Sequence, residues 1–201
     1  MKKIILLVLV LFAWKHFYYI ENAPKVGAGV MAGGYPYQDA TSITSFRHGD
    51  FTYSPLSSFS AEARVLAASK FYFDQKARLS PMTVVIGWGV MSDESVYDQL
   101  DIWLDNRTYK WQGDDLPVAK YEIENNTASL HLIPDNDSIA DNIAKIRNGD
   151  LIEITGFVVN VKKSSGWKWL TSTSKNKNDE EDGKIIYVKT LKLINPYERI
   201  Y

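Results

Sequence analysis

The chain has no cysteine. That absence removes disulfides, thiolate nucleophiles, a lipoprotein anchor and cysteine-ligated zinc in one step. Histidine is scarce, with His16, His48 and His131 the whole complement. No His-x-x-x-His pair, Gly-x-Ser-x-Gly elbow or glycine-rich phosphate loop occurs, so common metalloprotease, serine-hydrolase and nucleotide-binding signatures are missing. No metal site and no cofactor are expected. Neither sign of charge dominates: 23 basic and 24 acidic residues give a formal net charge of −1. That balance speaks against an electrostatically driven nucleic-acid binder. No internal repeat is visible.

What the chain does have begins at its first residues. Lys2-Lys3 precede an unbroken run of eleven apolar residues, Ile4 to Trp14. Lys15, His16 and the aromatics Phe17, Tyr18 and Tyr19 follow. A basic start and a short apolar run form an export signal. Small residues suited to cleavage are missing just after the run. Ala23 precedes Pro24, and Gly27-Ala28-Gly29 lies far downstream. An uncleaved signal anchor over residues 1–20 is therefore expected, with a cleaved signal peptide as the alternative. The plainest third reading is a buried N-terminal strand or helix of a cytosolic protein. A membrane helix needs ~20 residues. Extension to Ile20 approaches that length, with Lys15 and His16 snorkelling and Trp14, Tyr18 and Tyr19 at the interface. Lys2-Lys3 would stay cytoplasmic, so the rest of the chain would face outward from a bacterial inner membrane. Lys15 and Lys25 on the far side oppose that orientation.

Residues 21–50 read as a linker. They carry Pro24, Gly27, Gly29, Gly33, Gly34 and Pro36 and no sustained hydrophobic period. Residues 51–201 read as one extracytoplasmic, β-rich domain, a length that suits a single core. Residues 59–66 alternate as a strand, which Phe71-Tyr72-Phe73 continues or pairs with, and residues 83–90 form a strand apolar on both faces. Ser92 is expected to cap a helix running to Leu100. Residues 102–104 and 108–111 form a hairpin around Asp105-Asn106. Residues 119–124 suit a helical turn, and Ser129 to Ile133 a strand ended by Pro134. Ser138 is the N-cap candidate of a helix whose Ile139, Ile143 and Ile146 share one face, closed by Asn148-Gly149. A long strand follows over 151–161, with Gly156 marking a bulge or bend. Residues 166–170 and 184–188 are further strands, with 191–194 trailing the last. Ser174 to Gly183 is a polar loop between them. The expected fold is α+β and mainly β. It is a small, partly open β-barrel of OB-like type or a coiled antiparallel sheet, with one or two short helices, preceded by the N-terminal membrane segment.

Candidates for chemistry are few. Asp93-Glu94 supply a carboxylate pair suited to acid–base work, although a helix-capping turn also explains them. His131 sits between apolar neighbours in a strand, where a structural histidine is the ordinary case. Glu62 completes a weak catalytic set of Asp93, His131 and Glu62. Asp179-Glu180-Glu181-Asp182 lacks the ordered ligand spacing of a calcium loop. The aromatics are the compositional oddity, with Trp88, Trp103, Trp111, Trp167 and Trp169 all in the domain. Trp88 is flanked by glycines, and Trp167 and Trp169 share one strand face. Exposed rings of this kind stack on sugars, peptides or bases. Core and hairpin packing is the competing reading. Trp88, Trp167 and Trp169 are the candidate binding residues.

Residues 62–66 (Glu-Ala-Arg-Val-Leu), Leu79-Ser80-Pro81, Gly87-Trp88-Gly89, Met91-Ser92-Asp93, His131-Leu132-Ile133-Pro134, Gly149-Asp150 and Gly166-Trp167-Lys168-Trp169 carry a resemblance. Over about residues 50–190 the chain resembles an uncharacterised group of bacterial single-anchor envelope proteins. Members of that group usually carry a cysteine just before the last strand, where this chain has Gly183-Lys184. The resemblance implies location and domain extent and assigns no activity. The expected function is a membrane-anchored extracytoplasmic binding or structural domain, held by residues 1–20, whose partner is an envelope protein or glycan. The alternative is an envelope hydrolase using Asp93 and His131. An OB-type oligonucleotide binder ranks third, since it needs a basic groove beside the tryptophans.

Overall fold

The computed structural model describes residues 2–18, 20–172 and 183–199. An apolar helix α1 (Lys2–Tyr18) comes first. Two short strands, β1 (Tyr37–Asp39) and β2 (Phe46–His48), precede the long β3 (Phe51–Lys70) and the wholly buried β4 (Met82–Gly87). A 3-10 turn and α2 (Glu94–Tyr97) lead to a hairpin of β5 (Asp101–Asp105) and β6 (Thr108–Gln112). Then come α3 (Lys120–Asn125), β7 (Thr127–Pro134), α4 (Asp137–Ala144), β8 (Leu151–Lys163), β9 (Lys168–Trp169) and β10 (Lys184–Ile194).

Among the described residues the fold is α+β and mainly β, with one eight-stranded sheet beside the β5–β6 hairpin. β3 makes this possible by serving two neighbours. Its residues 51–64 pair antiparallel with β8, and its residues 64–70 pair antiparallel with β4. A register shift between Val65 and Ala67 lies just past the changeover, where an extra residue bends the strand. β4 pairs antiparallel with β7, β7 runs parallel to β10, and β10 pairs antiparallel with β8. Pairing thus passes through β4, β7, β10 and β8 and returns to β3, which makes the sheet partly ring-like. Pro55 interrupts the donors of β3 between the stretches that pair with β2 and β1, where a missing N–H is tolerated.

The side-chain alternation of these strands turns one set inward. Ala63, Val65, Val84, Ile86, Leu130, Leu132, Ile152, Ile154, Ile186 and Val188 are fully or almost fully buried in one cluster. Ile139 and Ile143 of α4, with Ile146 after it, close one end of that core, as their spacing predicts. Each such aliphatic contributes about 1.5–3 kcal/mol when withdrawn from water. The outward set is covered as well. Val85 packs under Met91, Leu100, Tyr109 and Ile123 of the segment between β4 and β7. Ile133, Val161, Ile185 and Tyr187 pack with Tyr53, Leu79 and Trp169. Burial on both faces explains why β4 carries no alternation.

The structure corrects several local expectations. Residues 21–50 are not a free linker. β1 and β2 lie on β3, and Asn22 bridges Asn148. The segment lacks a hydrophobic period because backbone groups hold it. Asp93, not Ser92, caps α2, and the helix ends at Tyr97 rather than Leu100. Asn136 replaces Ser138 as the cap of α4, its Oδ1 accepting from Ile139 N at 3.1 Å. Phe71-Tyr72-Phe73 lie beyond the end of β3, and the strand expected over 166–170 shrinks to β9. The hairpin turn is Asn106-Arg107, with Asn106 at φ 56°. Gly149 has the expected positive φ, +88°, but it does not close the helix: α4 ends at Ala144 with Lys145 as its cap, and Gly149 lies in a later turn in which Asp150 N donates to Arg147 O. Gly156 stands opposite Val188, beside a bulge in β10, and a Cβ there would collide with the Tyr187 carbonyl. Residues 173–182, including the acidic run and most of the expected loop, lie outside the described residues.

Candidate functional site

The catalytic candidates do not meet. His131 pairs across strands with Thr83, near the start of β4, while Asp93 lies beyond its far end at Gly87. Four residues of strand between Thr83 and Gly87 span about 13 Å. Glu62 stands opposite Glu153 in the β3–β8 register. Asp93 is committed to capping, its Oδ1 accepting from Ser95 N at 2.9 Å and Ser95 Oγ at 2.7 Å. Burial would raise the Asp93 carboxyl. Hydrogen bonds from Gly29 and Ser95, with the charge of Arg64, hold it below its ordinary value instead.

Two of the three binding candidates are core residues. Trp88 is 6% exposed and Trp169 is 3% exposed. The glycines beside Trp88 make room for protein atoms, not for a ligand. A Cβ at Gly87 would meet Met91 O and Leu66, and one at Gly89 would meet Asn126 Oδ1 at 2.7 Å. Trp167 is half-buried and sits edge-on to Phe51, with ring centroids 5.9 Å apart. Beside it, Gly166 opens onto empty space.

His131 and Trp169 do come together, with ring centroids 5.2 Å apart. Arg107, at the hairpin turn, completes their cluster. Its Nη1 donates to Thr83 Oγ1 at 3.1 Å and its Nη2 to Ser80 O at 3.2 Å. Its guanidinium lies 3.8 Å from the Phe71 ring centroid and 5.7 Å from that of Trp169. Asp74 Oδ1 is 3.6 Å away. Arginine only donates, so Thr83 Oγ1 accepts from it, and the same hydroxyl is hydrogen-bonded to His131 Nδ1, 3.0 Å away. Burial, then the charges of Arg107 and Lys76, push the His131 pKa down to about 3. A base that weak has little driving force at neutral pH, and Thr83 is fully buried. The cluster is a clamp that holds the loop 71–81 and β9 against β4 and β7. Sequence reasoning missed Arg107, Thr83 and Phe71, because nothing local to Asn106-Arg107 shows which strand the hairpin tip will reach.

A second polar centre lies at the opposite end, here called the root. Arg64 is 1% exposed and donates from Nη1 to Gly149 O at 2.7 Å, and from Nε to Ser92 O at 3.4 Å. Glu94 Oε2 accepts from Val26 N at 2.7 Å and Gly27 N at 2.8 Å. Ser92 Oγ accepts from Ala32 N at 3.0 Å, and Ala23 N donates to Asn148 O at 2.7 Å. Residues 22–32 are thereby strapped down. A cleft of about 330 Å³ opens beside the strap, lined by Asn22, Lys25, Glu94, Tyr97, Asp98 and Asp101. Lys25 Nζ bonds Asp98 Oδ2 at 2.6 Å across it.

Among the described residues no group of three or more histidines and carboxylates is placed to hold a metal ion. Among them, no helix is long and apolar enough to cross a membrane. Comparison with family models, with curated proteins and with solved structures gives no match.

Proposed function

We propose that this chain is a binding domain of the bacterial envelope, attached to the inner membrane by residues 1–20 and displayed outside the cytoplasm. The observation that carries this reading is α1. Ile4 to Phe12 are each between 56% and 69% exposed, on every side of the helix. The strands of the core bury their aliphatics, whereas a helix apolar all round calls for a lipid surrounding. α1 rises about 26 Å over its 17 residues. That is short of a ~30 Å hydrocarbon core, a mismatch met by local thinning and by snorkelling of flanking lysines.

The domain itself is proposed to be an OB-type barrel. The closed order of β3, β4, β7, β10 and β8, the parallel β7–β10 pair and the helix between β7 and β8 support that fold. The partner is an envelope protein or glycan. The resemblance to single-anchor envelope proteins agrees with this setting. The hydrolase reading has no support from geometry, since Asp93 and Glu62 lie apart from a buried, neutral His131. A phosphatase that is active only outside the cytoplasm, fused after Tyr201, tests the placement. Activity is expected. A silent fusion, or full-length protein in the soluble cytosolic fraction, overturns it.

A further inference from the structure

At the end away from the root, three apolar side chains stand in solvent. Phe73 is 91% exposed, Tyr72 41% and Leu170 49%. The Arg107 clamp brings their two loops together, because its guanidinium meets both Phe71 and Trp169. Leu79 and Trp169 share one apolar cluster beneath them. Cations lie at this end of the sheet. Lys162 and Lys168 are directly opposite in the β8–β9 register and both exposed. Like charges so placed destabilise a sheet, and among the described residues neither has an ion-pair partner. Arg78, exposed on the neighbouring loop, has none among the described residues either. Asp74, the acidic residue of loop 71–81, leans on Arg107, and Asp50 pairs with Lys163 beside Lys162.

We propose that this tip is a second membrane contact, which inserts Phe73 into the headgroup region of an anionic phospholipid bilayer. An exposed aromatic ring on a loop that also carries an exposed arginine, at the sheet end that carries Lys162 and Lys168, has the composition of an interfacial insertion site. Each basic residue near an anionic surface adds about 1 kcal/mol of attraction. Protein interfaces favour aromatics too but are depleted of lysine, so the surface suits lipid better than protein. The inference rests on the anchored reading for its setting. The root and the tip are ten residues of β8 apart, from Leu151 to Val161, or about 33 Å of strand. With α1 in the bilayer, contact at the tip lays the β3–β8 ribbon along the membrane. A short apolar helix is a modest anchor, and a basic, apolar patch is the kind of second signal that makes attachment stable.

The missing cysteine makes the test clean. Gln75→Cys in the full chain gives one thiol, labelled with an environment-sensitive fluorophore. Asp115→Cys, on the β6–α3 connection, is the control. Both are reconstituted into vesicles of phosphatidylglycerol or of phosphatidylcholine, with spin-labelled lipid as quencher. The expected result is quenching at residue 75 in phosphatidylglycerol, at least fivefold weaker in phosphatidylcholine, at least fivefold weaker with Phe73→Ser, and little at residue 115. Chains that sediment with vesicles but show no quenching at residue 75, or the same quenching with Phe73→Ser, overturn the tip contact and leave the anchor standing. Chains that do not sediment with either lipid overturn the anchor and the tip contact together.

Discussion

The root and the tip of this sheet use the same kinds of residue in opposite ways. At the root, Arg64 and Glu94 are buried and their bonds go to carbonyls and amides of the chain itself. At the tip, Lys162, Lys168 and Arg78 are exposed without ion pairs among the described residues, and Phe73 touches mostly water. A buried charge without its partners is expensive, so the root groups serve stability. Exposed charges and a bare ring add almost nothing to stability, so the tip groups are free to serve something outside the chain. The difference separates what holds the domain together from what it offers to a partner.

Substitutions that respect this division should differ sharply in cost. Arg64→Met leaves the Gly149 and Ser92 carbonyls buried without donors and should destabilise by about 3–5 kcal/mol in denaturant unfolding. The pH response tests the interior of the tip. His131 has a folded pKa of about 3, below its unfolded value of ~6.5. Between those values only the unfolded chain takes up that proton, so stability falls as pH falls from about 6.5 toward 3 and is unaffected above that window. The slope from this one group is about 1.4 kcal/mol per pH unit. His131→Asn should flatten the unfolding free energy between pH 6 and 4, and an unchanged slope would show that the imidazole is not held neutral. Glu94→Gln keeps the shape but weakens two charge-assisted bonds to the strap, for a loss of about 2 kcal/mol. Gly149→Val forces a β-branched residue to a positive φ and brings a Cβ within 3.5 Å of Ala23. A loss of about 1–2 kcal/mol is expected, and an unaltered melting temperature would contradict the strained turn.

Much of the root was legible because its signals are local. Ile139 and Ile143 mark a helix face by spacing, and Gly149 marks a turn by its backbone freedom, although the helix stops at Ala144, short of both Ile146 and that glycine. The strands of the core declared themselves through apolar residues, and so did the mainly β class. The strap was not legible, because its bonds run through backbone amides of residues such as Val26 and Gly27, which leave no periodic trace. Trp88 misled for a physical reason. Glycine neighbours signal close approach, and the approaching groups here are Leu66, Met91 and Asn126 of the same chain. The Arg107 clamp was invisible for the same reason as the strap, since it depends on where a hairpin lands after folding. At the tip, Tyr72 and Phe73 read as a continuing strand, because β-propensity alone does not reveal where a strand runs out of partners.

The claim that the root is structural and the exposed ring of the tip is spare is tested most directly by the melting temperature of the full chain carrying Phe73→Ser. A change below about 0.5 kcal/mol is predicted, which for a chain of this length moves the melting temperature by about 1–2 °C at most. A fall of about 5 °C or more would show that this ring holds the fold together, and would contradict the division on which the account rests.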